Sequence, residues 1–245
     1  MKIKYRSWPF AILVVELALI LTGCNRDDDS VGVKDIDGNG YTIVTIGSQV
    51  WMAENLATTK YNDGSVIPLV TDNSTWSNLN NFHGYCWQNN DIANKAFYGA
   101  LYNWFVVSTG KLCPAGWHVP TDAEWTTLEN YLVAKGFNFD GTTTSNKYAK
   151  ALASDSGWDY SSETGAVGNS DYPEKRNATG FTAISCGWRD SQGYFSGIGS
   201  NSYWWSSTGN DAQVAQCRSM SYYASYMYRE NSSKNNGFSV RCLKN

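Results

Sequence analysis

Gly116-Trp117-His118-Val119-Pro120-Thr121-Asp122-Ala123-Glu124-Trp125 is the stretch on which the fold turns. Thr121 followed three residues later by Glu124 is a capping box. The Thr hydroxyl accepts an early helical N–H, and the Glu carboxylate reaches back to the N–H of Thr121. Trp125, Leu128 and Leu132 then share one face of the helix that follows, and Gly136 stops it. Upstream, Phe97, Ala100, Leu101, Trp104 and Phe105 recur at helical spacing, so Ala96 to Val107 reads as another buried helix. Asn146 to Ser154 reads as a short third one. Tyr41 to Gly47 is a β-branched run bounded by glycines, with Val50 to Leu56 as its hairpin mate. Residues 57–91 are polar and broken at Asp63-Gly64 and Pro68, and read mostly as loop. Beyond Ser156 helical periodicity disappears. Phe181 to Trp188, Tyr203 to Ser207 and Val214 to Met220 read as short strands, and Gly237 to Cys242 as a closing strand. The expectation is a single α+β domain over residues 33–245, with two main helices, short twisted strands and long irregular loops.

Composition narrows the classes. The chain has 245 residues, 15% aromatic and only 17% charged, with 11 Trp and 16 Tyr. Such a chain is neither disordered nor a coiled coil. The formal net charge is -3 and no basic cluster occurs, which argues against nucleic acid as a partner. Asparagine is abundant, at 23 residues.

The first residues are an address. Lys2, Lys4 and Arg6 precede an apolar run, Ala11 to Leu21, interrupted once by Glu16. A short apolar run behind a basic start is a processed signal rather than a membrane span. It ends in Leu21-Thr22-Gly23-Cys24, which resembles the lipobox of bacterial lipoproteins. The resemblance implies removal of residues 1–23 and acylation of Cys24, a durable anchor at about 0.8 kcal/mol per buried methylene. Asn25-Arg26-Asp27-Asp28-Asp29 is an acidic run within a 24–32 tether. It resembles the export signal of surface lipoproteins in Bacteroidetes-type bacteria. The expected location is therefore the outer membrane, lipid-anchored and facing outward. Loss of residues 1–23 leaves 16 basic and 21 acidic residues, a formal balance of -5. The nine residues Asn25 to Val33 reach roughly 30 Å when extended, so the domain stays near the membrane.

Five cysteines follow Cys24: Cys86, Cys113, Cys186, Cys217 and Cys242. None form C-x-x-C, which removes a zinc ribbon or thioredoxin motif. Disulfides suit an exported protein. A bridge to Cys242, with Cys86 or Cys113 as partner, would constrain the unfolded chain most.

Six blocks in order carry a family resemblance. They are Asp35 to Asn39, Val50 to Leu56, Tyr98 to Trp104, Gly116 to Trp125, Tyr203 to Thr208 and Gly237 to Cys242. Together they resemble the FISUMP family (Fibrobacter succinogenes major paralogous domain) from about Val33 to Asn245. That family is largely secreted or lipid-anchored, so the resemblance implies a setting more than a mechanism. Tyr102 to Trp104, Val119 to Trp125 and Gly237-Phe238 are also similar to the core signature of formylglycine-generating enzymes. This implies a C-type-lectin-like fold. Those enzymes work through a C-x4-C pair. Here Cys217 takes the first position and Tyr222 the second, and copper-type thiolate ligation needs both sulfurs. The activity does not carry over.

Other chemistry is weakly represented. Asp35-x-Asp37-x-Asn39-Gly40 opens like a calcium loop, but Ile46 stands where a bidentate Glu is required, so a turn is expected. No Ser-His-Asp order, phosphate loop or metal-ligand cluster appears, and neither a metal nor a cofactor is expected. His118 is expected to make a structural hydrogen bond, while His83 shows no partner. Trp51, Trp104 and Trp125 are expected in the core. The segment 188–228 is the candidate recognition face, because flat aromatic rings suit both sugars and protein hot spots. Within it Trp188, Arg189, Tyr226 and Tyr228 are the candidate ligand contacts. The leading expectation is a surface-anchored binding module for a polysaccharide or a surface protein. A structural surface protein and an enzyme of unidentified activity are the alternatives.

Overall fold

The computed structural model describes Met1 and residues 32–245. The signal, Cys24 and the acidic run lie outside the described residues. The chain starts with β1 (Val33–Lys34) and β2 (Gly40–Tyr41), then β3 (Ile43–Ile46) and β4 (Gln49–Met52). α1 (Asn73–Ser77), β5 (Tyr85–Trp87), α2 (Lys95–Tyr98), β6 (Ala100–Tyr102), α3 (Trp104–Val107) and β7 (Trp117–His118) follow. After α4 (Asp122–Ala134) and α5 (Ala149–Leu152) come β8 (Cys186–Arg189), β9 (Phe195–Ile198), β10 (Asn201–Gly209), β11 (Val214–Ser221), β12 (Tyr228–Ser233) and β13 (Leu243–Lys244). The result is one mixed α/β domain, dominated by sheet, with few and mostly one-turn helices. A five-stranded sheet runs β12-β11-β10-β8-β9, and a four-stranded one runs β3-β4-β13-β7. β1 pairs β2, and β5 pairs β6.

α4 forms as its capping box directs. Thr121 Oγ1 accepts from Glu124 N, and Glu124 Oε2 accepts from Thr121 N at 2.8 Å. Trp125, Leu128 and Leu132 are buried together. The β3–β4 hairpin also forms, with Val44 opposite Trp51. The second expected helix does not. Gly99, at φ +73°, breaks Ala96 to Val107 into α2, β6 and α3, and its backbone approaches the Asn55 and Leu56 carbonyls too closely to admit a Cβ. Ala100, Leu101 and Tyr102 are all buried and pair with β5. A strand buried on both faces shows a continuous apolar run, which mimics helical spacing over so short a window. Phe97, expected to face inward, is exposed. The third helix shrinks to one turn, Ala149–Leu152, and the loop 57–91 contains α1 and β5. Phe181 to Cys186 is mostly irregular, and the closing segment bridges singly at Gly237, Phe238 and Ser239 before its ladder at Leu243–Lys244.

Both faces of the five-stranded sheet are covered. On one, Trp204 and Met220 meet Trp125, Leu128, Leu132, Trp51 and Phe181. Trp51 and Trp125 have ring centroids 4.7 Å apart. On the other, Trp205 and Cys217 meet Tyr102, Phe238 and Val240. Trp51 and Trp125 are in the core as expected, and Trp104 is half-buried. A disulfide joins Cys113 to Cys242 across 129 residues. Loop closure of that length stabilises by about 5 kcal/mol in the chain-entropy account. Cys86, the other candidate partner, is a buried free thiol, as are Cys186 and Cys217.

Arg218 ties the sheet to α4. Its fully buried guanidinium meets Asp122 Oδ1 at 2.7 Å and Glu129 Oε1 at 2.5 Å. Arg229 adds a second contact to Asp122 at 2.6 Å. Burial alone would raise the carboxyl groups of Asp122 and Glu124. Hydrogen bonds and charges outweigh it, from Arg229 and Arg218 at Asp122 and from Thr121 and His118 at Glu124. Both pKa values end below their ordinary 3.8 and 4.5. Their stabilisation is complete above those ordinary values and is lost as pH falls through the lowered ones. Thermal unfolding followed by circular dichroism should therefore show the melting temperature falling below about pH 4. Asp122→Asn, which leaves Arg218 short of a carboxylate, should cost about 3 kcal/mol at pH 7 and flatten that acid dependence.

Candidate functional site

β8 places Trp188 and Arg189 on opposite faces, as alternation requires. Trp188 packs edge-on against Tyr203 of β10, with centroids 5.0 Å apart. Tyr203 lies opposite Ser219 on β11, and Ser219 lies opposite Tyr228 on β12. The three strands thus carry Tyr203, Ser219 and Tyr228 on one face, in one row, next to Trp188. The row continues around the β11–β12 turn. Tyr226 stacks obliquely on Tyr228 at 4.6 Å, and the Tyr226 and Tyr223 side chains lie close enough to perturb the Tyr228 phenol. Trp188, Tyr203 and Tyr228 are half-buried, whereas Tyr223 is 52% and Tyr226 41% exposed.

These rings form an aromatic strip that runs out of the core: Tyr203 stacks on Phe238 at 4.7 Å and packs with Trp188 against the buried cluster, while Tyr223 and Tyr226 at the other end face solvent. Burial, followed by the charges of Glu230, Cys217 and Tyr223, pushes the Tyr203 phenol up to about 12. Burial also raises Tyr228, with the Tyr226 and Tyr223 hydroxyls adding to it. The Tyr203 and Tyr228 phenols therefore stay neutral and can donate hydrogen bonds at neutral pH. Ser219 donates to Glu230 Oε1 at 2.5 Å, which sets a carboxylate beside the strip. A hollow of about 450 Å³ opens at its exposed end, lined by Glu163, Thr164, Tyr223, Ser225, Tyr226 and Tyr228.

The turn that presents the strip is held by backbone. Tyr222 N donates to Ser200 O, Gly168 N to Tyr222 O and Ala149 N to Ser225 O. Strict alternation would have put Met220, Tyr222, Ala224, Tyr226 and Tyr228 together. The chain reverses after Ser221 instead, so Ala224 and Met227 are buried while Tyr223 and Tyr226 face out. Tyr203 and Tyr223 belong to the strip and were missed in the sequence. Counting strand register from Trp204-Trp205 would have found the first of them.

Arg189 has a different place. It is fully buried, on the far face from Trp188. Its guanidinium donates to the Gly193, Val70 and Thr71 carbonyls and to Asn73 Oδ1, at 2.6–3.0 Å. It stacks on Trp76 at 4.4 Å and Phe195 at 4.9 Å. It braces loops and is not a surface contact.

The family model of the Fibrobacter succinogenes major domain matches residues 44–244, nearly the whole described chain. The chain belongs to that family. No curated protein and no solved structure matches it. In this Fibrobacter succinogenes major domain the free thiols are poor nucleophiles. Burial pushes Cys86 and Cys217 up to about 12 and raises Cys186 as well. His118 uses both ring nitrogens, one on Glu124 Oε1 at 3.0 Å and one on Asn245 Oδ1 at 2.7 Å. His83, expected to be alone, meets the Tyr61 hydroxyl at 2.7 Å. Asp35 accepts from Asp37 N, Asn39 N and the Tyr41 hydroxyl, so the Asp35–Asn39 segment is a self-satisfied turn. Among the described residues no group of three His, Cys, Asp or Glu side chains is placed to hold a metal. No described helix is long and apolar enough to cross a membrane.

Arg189→Met should lower stability by about 3 kcal/mol or more in urea unfolding, because it strands the buried Val70 and Gly193 carbonyls and removes the donors to Thr71 O and Asn73 Oδ1. Tyr226→Ala should shift stability by less than about 0.5 kcal/mol, as exposed side chains do.

Proposed function

We propose that this domain is a lipid-anchored binding module at the surface of a bacterial outer membrane, and that its ligand is a glycan. The observation that carries the reading is the solvent-facing end of the aromatic strip, Tyr223 and Tyr226 beside Tyr228. Flat rings with polar edges match the apolar faces and hydroxyl rims of sugars. The strip sits on a hydrogen-bonded sheet, so a ligand orders little on arrival. Glu163, Thr164 and Ser225 in the adjoining hollow offer acceptors and donors for hydroxyl groups. The C-type-lectin-like arrangement suggested by Tyr102 to Trp104, Val119 to Trp125 and Gly237-Phe238 fits this reading. It is a fold in which irregular loops present a recognition surface, and fold alone does not fix function. The lipobox at Cys24 and the acidic run behind it support the anchor and the outward location.

Three experiments test the reading. Metabolic labelling with a palmitate analogue should mark the wild-type chain and not Cys24→Ala, which should leave the membrane fraction. Intact-cell proteolysis should degrade the anchored form. A glycan array probed with the detergent-solubilised, oxidised chain should show binding to one glycan class. Tyr223→Ala and Tyr226→Ala should each weaken it about tenfold, the loss of roughly one stacking contact, with the melting temperature unchanged. Folded protein that binds no glycan, or binds equally well without those rings, overturns the proposal and turns attention to a protein ligand.

A further inference from the structure

A hollow of about 710 Å³ lies between α1 and the β8–β9 turn, with Asn73, Ser77, Gln192, Tyr194, Ser233 and Asn235 in its walls. A second, of about 310 Å³, shares Ser233 and Asn235 with it and extends past Asn81, Phe105 and Gln213. The two run on as one groove. It opens at the end of β12 and the aromatic strip at the start. β12 spans Tyr228–Ser233, so the two sites stand roughly 17 Å apart along the sheet.

We propose that this groove binds a neutral, hydroxyl-rich chain, an oligosaccharide strand, at a site separate from the aromatic strip. A carboxamide presents a donor and an acceptor side by side, the pair that adjacent sugar hydroxyls require. The groove carries five such groups among the residues named, with serine hydroxyls between them. Asn235, common to both hollows, has its Oδ1 buried without a hydrogen-bond partner. Tyr194, 61% exposed, and Phe105 add ring faces. The Lys234 ammonium donates to Asp211 O at 2.5 Å and lies 4.3 Å from the Trp104 ring, and the neighbouring Asp211 carboxylate offsets its charge.

The walls are set before any ligand arrives. Arg189 donates to Thr71 O and Asn73 Oδ1 on the α1 side and to Gly193 O on the turn side. Gly193 has φ +94°, and a Cβ there would come within 2.7 Å of Asn73 Cα. Helix and turn therefore meet at a backbone contact, with a buried cation bonded to both. A rigid polar cleft of this kind loses little entropy on binding. The inference rests on the reading above for its ligand class and on different residues for its site.

The test is affinity electrophoresis of the detergent-solubilised full chain in gels containing dextran, xyloglucan, mannan or polygalacturonate. The variants are Gln192→Ala with Tyr194→Ala, two exposed side chains, and Tyr226→Ala as the strip control. Retardation by a neutral polysaccharide that weakens tenfold or more in the groove variant, at unchanged melting temperature, is the expected result. It carries the proposal whatever Tyr226→Ala does. Neutral retardation that the groove variant leaves unchanged overturns the groove. If Tyr226→Ala abolishes that retardation, the strip reading survives alone. Retardation by polygalacturonate only, or by none of the neutral polymers, also overturns it, the latter in favour of a peptide ligand or no ligand.

Discussion

Arg241 reaches across the core to the Phe181 and Thr182 carbonyls, with its Nε on Asn55 Oδ1 and its guanidinium 4.2 Å from the Phe181 ring. Its nearest partners are backbone and amide oxygens rather than a carboxylate. Burial pulls its pKa down to about 9, and it stays charged at pH 7. This contact answers the constraint that governs the domain. Much of the chain is irregular yet buried, and each carbonyl taken out of water needs a donor. Strands and helices supply only some of them. Arg189 serves Val70, Thr71 and Gly193, and Lys150 serves Asn169 and Asp171. Removing any of these cations leaves several orphaned oxygens at once, so their cost exceeds that of one hydrogen bond.

The same constraint explains the abundance of asparagine. Asn138 donates to the Thr142, Thr144 and Ser145 carbonyls and accepts from Lys147 N, closing a whole loop around one side chain. Asn55 joins Tyr98 O, Trp204 Nε1 and Arg241. Asn80, Asn81, Asn89, Asn90 and Asn177 adopt positive φ, which asparagine tolerates better than most residues. A short amide works both as a loop donor and as a turn former.

This division also shows what the sequence could disclose. α4 was legible because a capping box is local and self-contained. The β3–β4 hairpin was legible for the same reason. β6 was not, because Ala100 to Tyr102 is buried on both sides and its period is hidden. The aromatic strip was legible in content but not in arrangement. Tyr226 and Tyr228 fall on one parity in the sequence, whereas Tyr203 joins them only through strand register, and the turn after Ser221 reverses the alternation. Arg189 looked like a surface group beside a tryptophan. Nothing local reveals that its partners are Val70 and Thr71. The bridge to Cys242 was anticipated with two possible partners. Choosing Cys113 required knowing that Trp117 and Lys244 pair in one sheet.

That sheet has a kinetic meaning as well. β13 is inserted between β4 and β7, so Leu243 faces Trp51 on one side and His118 on the other. Until Leu243 docks, β4 has only β3 beside it and β7 has no partner strand. Contacts of such sequence separation are slow to form and cannot nucleate early. A chain in which β13 is undocked exposes open edges on β4 and β7, a state prone to pairing with other chains. The four-stranded sheet accordingly closes in a late step, set by the docking of β13 between β4 and β7.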